Sequence, residues 1–141
     1  MKPFFLLLLL CLTAQSEILR LSLVVPEPGE GITKFEISHG EVKETIFVKN
    51  QPIVTTADVA TAQQNPARKD CVAVSLTDEG AKKMFQASKE MRHGVDRIAI
   101  MVDGKFISAP IVNDTLGKNI EISGLNDPDE ATKLAARMSG K

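Results

Sequence analysis

The sequence contains no tryptophan or tyrosine, and phenylalanine, present six times, is its aromatic residue. Trp, Tyr and Arg dominate the energetics of tight protein interfaces. An interface anchored by Trp or Tyr side chains is therefore excluded. The formal net charge is only −1. Because nucleic acids and anionic membrane surfaces attract strongly basic patches, we expect neither as a partner.

The chain also lacks any apolar run of transmembrane length. Its longest run, residues 4–12, follows Lys2 and is much shorter than the about 20 residues that a membrane-spanning helix needs. Ala14 and Ser16 are small residues at positions −3 and −1 of a cut after Ser16, which predicts a signal peptide over residues 1–16. Residues 17–141 then form a single domain, periplasmic or secreted, without a transmembrane segment.

Cysteine is scarce, with Cys11 inside the predicted signal peptide and Cys71 in the mature part. A lipid attached to Cys11 would instead make an outer-membrane lipoprotein, although Leu10 is large where such sites have a small residue. If Cys11 leaves with the signal peptide, Cys71 has no internal disulfide partner. The fold must then depend on its hydrophobic core.

A hairpin over residues 97–110 is the strongest local signal. Asp103 and Gly104 lie between two apolar, β-branched runs, and Asp-Gly favours a type I′ turn because both central positions need positive φ. A two-residue turn places Val102 opposite Lys105, Met101 opposite Phe106 and Ile100 opposite Ile107. The run 98–102 is apolar without alternation, which predicts a central strand buried on both faces. Pro110 should end the second strand.

Five further segments have strand patterns. Residues 17–25 alternate partly, residues 35–38 and 42–48 predict a hairpin around His39 and Gly40, residues 71–76 are largely apolar, and residues 119–123 place Ile120 and Ile122 inward before Gly124.

Three segments have helix-start signals. Thr55 followed three residues later by Asp58 predicts a short helix over residues 56–64. Thr77 should cap the main helix, which has Asp78 and Glu79 in its first turn. Its apolar stripe should face the sheet, and Gly94 fits the position after its end. The stripe comprises Ala81, Met84, Phe85, Ser88 and Met91.

The third helix signal is at residues 127–130, where Asp127 fits the cap, Pro128 the first helical position and Glu130 the third. Ala131, Leu134, Ala135 and Met138 share one face. The predicted fold is α+β, a mainly antiparallel sheet with two principal helices packed on it. Its core order is β-α-β-β-β-α, preceded by N-terminal strands.

Four segments together resemble a known family. They are Leu-Thr-Asp-Glu-Gly-Ala-Lys-Lys (76–83), the hairpin over residues 98–110, Ile-Ser-Gly (122–124) and the helix at residues 130–135. They resemble the head of the first periplasmic domain of SecD/SecDF, the membrane subunit that assists protein export. The resemblance is densest over residues 71–140. The residues that match the family motif are Asp103, Gly104, Ser108, Ala109, Pro110 and Gly124. They are turn, strand-end and core positions, so the resemblance implies a structural motif and no catalytic site.

SecD has transmembrane helices, whereas none is predicted here, so energy coupling does not carry over from the resemblance. The head of that family implies a non-enzymatic module that contacts polypeptide, including unfolded exported chains. The alternative is a structural or protein-interaction module that reuses the fold without a role in export.

The sequence contains few residues that could form a catalytic site or a metal site. Cys71 with His39 or His93 would supply a nucleophile and a base, but a lone cysteine at a strand start is typical of a small buried hydrophobic residue. One cysteine and two histidines lack the spacing of zinc ligands. The acidic residues Asp127, Asp129 and Glu130 are explained by capping. We therefore predict no catalytic, cofactor or metal site.

Overall fold

The computed structural model describes residues 17–140, so the predicted signal peptide and Cys11 lie outside the described residues. The fold is α+β, as predicted, with mainly antiparallel strands and two α-helices. The strands are β1 (Leu19–Val25), β2 (Ile32–His39), β3 (Val42–Lys49), β4 (Val54–Thr55), β5 (Val59–Gln64), β6 (Val72–Leu76), β7 (Ile98–Val102), β8 (Lys105–Ser108) and β9 (Asn119–Ile122). The helices are α1 (Asp78–Lys89) and α2 (Pro128–Ser139).

The strands form two separate sheets. One has six strands in the order β2-β3-β1-β7-β8, with β4 added on β1, and the other has three in the order β5-β6-β9. From β6 onward the order β-α-β-β-β-α agrees with the prediction. None of the described helices is long and apolar enough to cross a membrane.

Two apolar clusters hold these layers together. The main cluster joins inward residues of both sheets to α1 and α2, including Leu21, Met84, Ile100 and Met138. A smaller cluster lies on the other face of the six-stranded sheet, where the β2–β3 hairpin covers β7 and β8. Its Phe35 and Phe106 rings lie 5.9 Å apart. Both faces of β7 are therefore buried, as its uninterrupted apolar run predicts.

The β7–β8 turn has φ of 53° at Asp103 and 77° at Gly104, in agreement with the predicted turn. The pairs Val102–Lys105 and Met101–Phe106 are confirmed, but Ile100 pairs with Ser108 and not with Ile107. A β-bulge-type shift in register leaves the extra residue, Ile107, unpaired in β8. The predicted register was therefore wrong beyond the second pair.

The predicted helix over residues 56–64 is also wrong. Its start signal is real, since the Thr55 N–H donates to a carboxylate oxygen of Asp58 at 3.0 Å, but it produces only a 3₁₀ turn over Thr56–Asp58. The following residues form β5, whose backbone pairs with β6 and whose surface packs against α2. These tertiary contacts override a weak local helix preference.

Helix α1 begins as predicted, because Thr77 Oγ1 accepts a hydrogen bond from the Gly80 N–H at 3.1 Å. Met84, Ser88 and Met91 are buried, but Phe85 is exposed because its position lies at the margin of the inward face. The helix ends at Lys89, so Gly94, with φ of 81°, belongs to the turn that follows and is not its cap.

Helix α2 follows the prediction more closely. Asp127 accepts a hydrogen bond from the Glu130 N–H at 2.8 Å, and the predicted inner face is buried. The Glu130 carboxylate accepts from the Asn126 N–H, one residue before the cap. In the β2–β3 hairpin, His39 pairs with Val42, so the turn is Gly40-Glu41, one residue later than predicted.

Candidate functional site

An apolar groove of about 440 Å³ lies between the two sheets, and we call it the β9 groove. Strands β1 and β7, helix α1, the connection that follows β8, and β9 all contribute to it. Its apolar lining includes Leu21, Met84, Ile98, Ile100, Pro110, Ile111, Val112, Leu116, Ile120 and Ile122. Ile111 is half exposed at the groove, so apolar surface here is open to solvent.

Strand β9 presents a backbone edge to this groove. It pairs with β6 on one side, and within the described residues no strand pairs with its other side. All four residues of β9 border the groove, including those whose side chains point to opposite faces. An edge strand carries a row of unpaired N–H and C=O groups that can template another strand.

The register shows which backbone groups face outward. The Leu76 N–H donates to the Lys118 carbonyl at 2.8 Å, and β6 and β9 continue antiparallel from there with Val74 opposite Ile120. Hydrogen-bonded and non-bonded pairs alternate in such a ladder. The N–H and C=O groups of Asn119 and Glu121 therefore point away from β6, along the edge of β9 that no strand of residues 17–140 covers.

The end of β8 contacts the residues that follow β9. The Ser108 hydroxyl donates to the Ser123 carbonyl at 3.1 Å, and a Cβ placed on Gly124 would lie 2.9 Å from Ser108 Cβ. This contact lies beside the groove residues Pro110 and Ile122. The serine of the β7–β8 hairpin and the glycine after β9, both singled out from the sequence, are thus neighbours in space.

The remaining motif residues have other surroundings. Asp103 forms a two-point ion pair with Arg137 of α2, with both N–O distances 2.7 Å, and this hydrogen bonding lowers the pKa of the Asp103 carboxyl. Gly104 sits in the turn, and Ala109 is buried in the smaller apolar cluster. The β7–β8 hairpin therefore contacts α2 through its turn, at Asp103, and contacts the end of β9 through Ser108.

Groove residues outside the motif were missed by sequence reasoning. The alternation at Ile120 and Ile122 predicts burial but not which edge of β9 stays open. Leu21 and Met84 reach the groove from segments far away in sequence. Their local sequence predicts that they face inward, but not that they line a groove.

The cysteine and histidines considered for catalysis lie in ordinary structural surroundings. Cys71 is buried, and this burial raises the pKa of its thiol, which favours the unreactive protonated form. His93 Nε2 lies 3.0 Å from the Ser88 carbonyl, while His39 lies beside Glu44 on the β2–β3 hairpin. Among residues 17–140, no group of three or more His, Cys, Asp or Glu side chains could hold a metal ion.

Comparison with solved structures supports the fold. SecDF in a super-membrane-facing form matches with a TM-score of 0.63 and 23% identity, over 89% of this chain and 19% of that one. A structure of the membrane component SecDF that enhances protein export matches with a TM-score of 0.61 and 23% identity, over 89% of this chain and 63% of that one. The chain thus spans less than two thirds of either SecDF chain. No curated protein matches.

A family model described as the SecDF P1 head subdomain matches residues 32–140. This range contains α1, the β7–β8 hairpin, β9 and α2, and therefore every residue of the predicted motif. The chain belongs to the SecDF P1 head subdomain family.

Proposed function

We propose that this protein is a non-enzymatic head module of the periplasm or the secreted fraction that binds extended polypeptide in the β9 groove. The observation that carries the proposal is the open backbone edge of β9 beside an apolar groove of about 440 Å³. Structural similarity to SecDF, a component that enhances protein export, supports a role in handling exported chains.

The proposed mechanism is strand addition. An extended segment would pair with the outward N–H and C=O groups of Asn119 and Glu121 and so continue the three-stranded sheet. Main-chain hydrogen bonds supply affinity in this mode and depend little on sequence. Alternate side chains of the bound segment would enter the groove, where Ile111 and Leu116 favour apolar residues.

Residues 1–16 as a signal peptide and residues 17–141 as one mature domain are part of this proposal. N-terminal sequencing of the exported protein should begin at Glu17. A lipid on Cys11 would place the same module at a membrane surface instead.

The test is titration of the protein with an unfolded reporter chain, beside the same reporter folded. We expect saturable binding to the unfolded form with weak sequence preference. Binding to one folded protein and to no unfolded chain would favour the interaction-module alternative. Turnover of a substrate that disappears in Cys71→Ala would overthrow the non-enzymatic assignment.

Two substitutions separate the edge from its side chains. Glu121→Pro removes the outward N–H but no hydrogen bond to β6, so the fold should survive while binding weakens by about tenfold, the equivalent of one good hydrogen bond. Glu121→Ala is the matched control, because it also loses the ion pair with Arg68 but keeps the N–H. Equal affinities for the two variants would contradict strand addition.

A second pair tests the apolar lining. Ile111→Ser removes exposed apolar surface at the groove, whereas Val42→Ser removes similar surface from the distant β2–β3 hairpin. We expect only Ile111→Ser to weaken binding. If Val42→Ser weakens it equally, binding is general hydrophobic adhesion and not a property of the groove.

A further inference from the structure

A second pocket, of about 50 Å³, lies on the opposite face of the six-stranded sheet. Side chains alternate along β1, so Leu21 reaches the β9 groove while Arg20 and Ser22 border this second pocket. The β2–β3 hairpin supplies the facing wall, including Thr33 and Asn50 at its base. The pocket is therefore the open end of the smaller apolar cluster.

Arg20 has an unusual position among the arginines. Its Nε is buried, and no acceptor within residues 17–140 bonds it. The other four arginines of the chain each form an ion pair with a carboxylate: Arg68 with Glu121, Arg92 with Asp96, Arg97 with Glu44, and Arg137 with Asp103. Leaving a buried donor without an acceptor costs free energy, so an acceptor bound at Arg20 Nε would stabilise the protein.

The other polar residues around the pocket carry a hydroxyl, an amide or a positive charge, and the rest of its lining is apolar, from Phe35, Val48 and Met101. Ser22 is buried and brings a hydroxyl. The Thr33 hydroxyl donates to Asn50 Oδ1, which leaves the Asn50 NH₂ group as a donor. Lys49 also borders the pocket, and its lining contains no Asp or Glu. Two cationic residues and three polar ones without an acid favour an anion as the occupant.

We propose that this pocket binds a carboxylate group, held by Arg20 with Ser22 and Asn50 as further donors. The guanidinium presents two parallel N–H groups that match the two oxygens of a carboxylate. The pocket volume is about 50 Å³, several times the about 10–15 Å³ that one water needs, and so suits a group of a few atoms. The carboxylate comes from a free small anion or from a peptide.

NMR of the arginine side-chain N–H groups tests the proposal directly. The protein is titrated with sodium acetate, with sodium chloride balancing the ionic strength. We expect a saturable shift of the Arg20 Nε–H resonance, while those of Arg92 and Arg97, whose Nε groups already have acceptors, stay nearly constant. The same small drift at all three residues, or none, would mean that water alone fills the pocket, and would overturn the proposal.

Substitution tests the guanidinium itself. Arg20→Lys keeps the charge but loses the fork, so acetate should bind about tenfold more weakly, the loss of one charge-assisted hydrogen bond. Arg68→Lys, at an exposed ion pair outside the pocket, should bind acetate like the parent. Unchanged affinity in Arg20→Lys would overturn the proposal, and the titration of the parent stands even if the variant folds poorly.

Two further titrations identify the ligand chemistry. Phosphate binding more tightly than acetate would overturn the carboxylate assignment. Acetyl-Ala-Glu-amide is compared with acetyl-Ala-Gln-amide to test a peptide-borne source. Saturation by the glutamyl peptide alone assigns the site to peptides, and saturation by acetate with neither peptide assigns it to a free anion.

Discussion

Replacing Gly124 by alanine should destabilise the protein strongly, through two separate effects. The glycine has φ of 89°, and an L-residue in this left-handed region costs roughly 1–2 kcal/mol. The new Cβ would also lie 2.9 Å from Ser108 Cβ, 3.0 Å from Ser108 Oγ and 3.2 Å from Ile107 Cγ2. Such overpacking costs about 1–3 kcal/mol. The sum lowers the free energy of unfolding by about 2–5 kcal/mol.

Two other glycines separate these effects. Gly104 has φ of 77°, and a Cβ added to it would meet no atom within 4 Å, so Gly104→Ala carries only the backbone cost of roughly 1–2 kcal/mol. Gly117 has neither a left-handed φ nor a close neighbour, so Gly117→Ala should change stability by at most about 0.5 kcal/mol.

Urea denaturation followed by far-UV circular dichroism measures the free energy of unfolding of the three glycine variants. With an m-value of about 2 kcal/mol/M, the midpoint of Gly124→Ala should fall by about 1–2.5 M. In a double-mutant cycle with Ser108→Gly, the two changes should be non-additive by about 1–2 kcal/mol, because they share the overlap. A loss in Gly124→Ala no larger than that in Gly104→Ala would refute the close β8–β9 contact.

Three further predictions concern single side chains. Asp103→Asn removes the exposed pair with Arg137 and should cost about 0.2–1 kcal/mol. Because the folded-state pKa of Asp103 is lowered, this stabilisation is present above the unfolded-state pKa and is lost as pH falls through the folded-state pKa, so melts of the variant and parent should converge in acid. Asp58→Ala leaves the Thr55 N–H and the Lys83 ammonium without their acceptor and should cost about 1–3 kcal/mol in the same melts; no loss would contradict the described contacts. The buried Cys71 thiol should react with an aromatic disulfide only when urea unfolds the protein, and rapid labelling in buffer would show that it is accessible.

The parts predicted well from the sequence are those in which neighbouring residues determine the structure. Asp103 and Gly104 specify their turn because few residue pairs tolerate two positive φ angles. Asp127 and Pro128 begin α2 because a side-chain acceptor and a fixed φ act within one turn. The order of elements from β6 onward follows from such local signals.

Segments whose structure depends on contacts with residues far away in sequence were predicted less well. Residues 59–64 follow the helix-start signal at Thr55 and Asp58, yet their backbone pairs with β6 because that pairing also buries Val59 and brings β5 against α2. Phe85 fits the helical stripe by spacing, but it lies at the margin of the face that α1 turns inward and stays exposed.

The candidate site belongs wholly to the tertiary structure. The sequence marks Ser108, Pro110 and Gly124 as motif positions, but only folding brings Ser108 against Gly124 and places Pro110 at the groove. The open edge of β9 exists because β6 pairs with one side of it, while β8 pairs with β7 in the other sheet. Local chemistry determined the turns and caps of this protein, whereas the groove and the pocket at Arg20 depend on contacts between segments far apart in sequence, whose pairing no local pattern encodes.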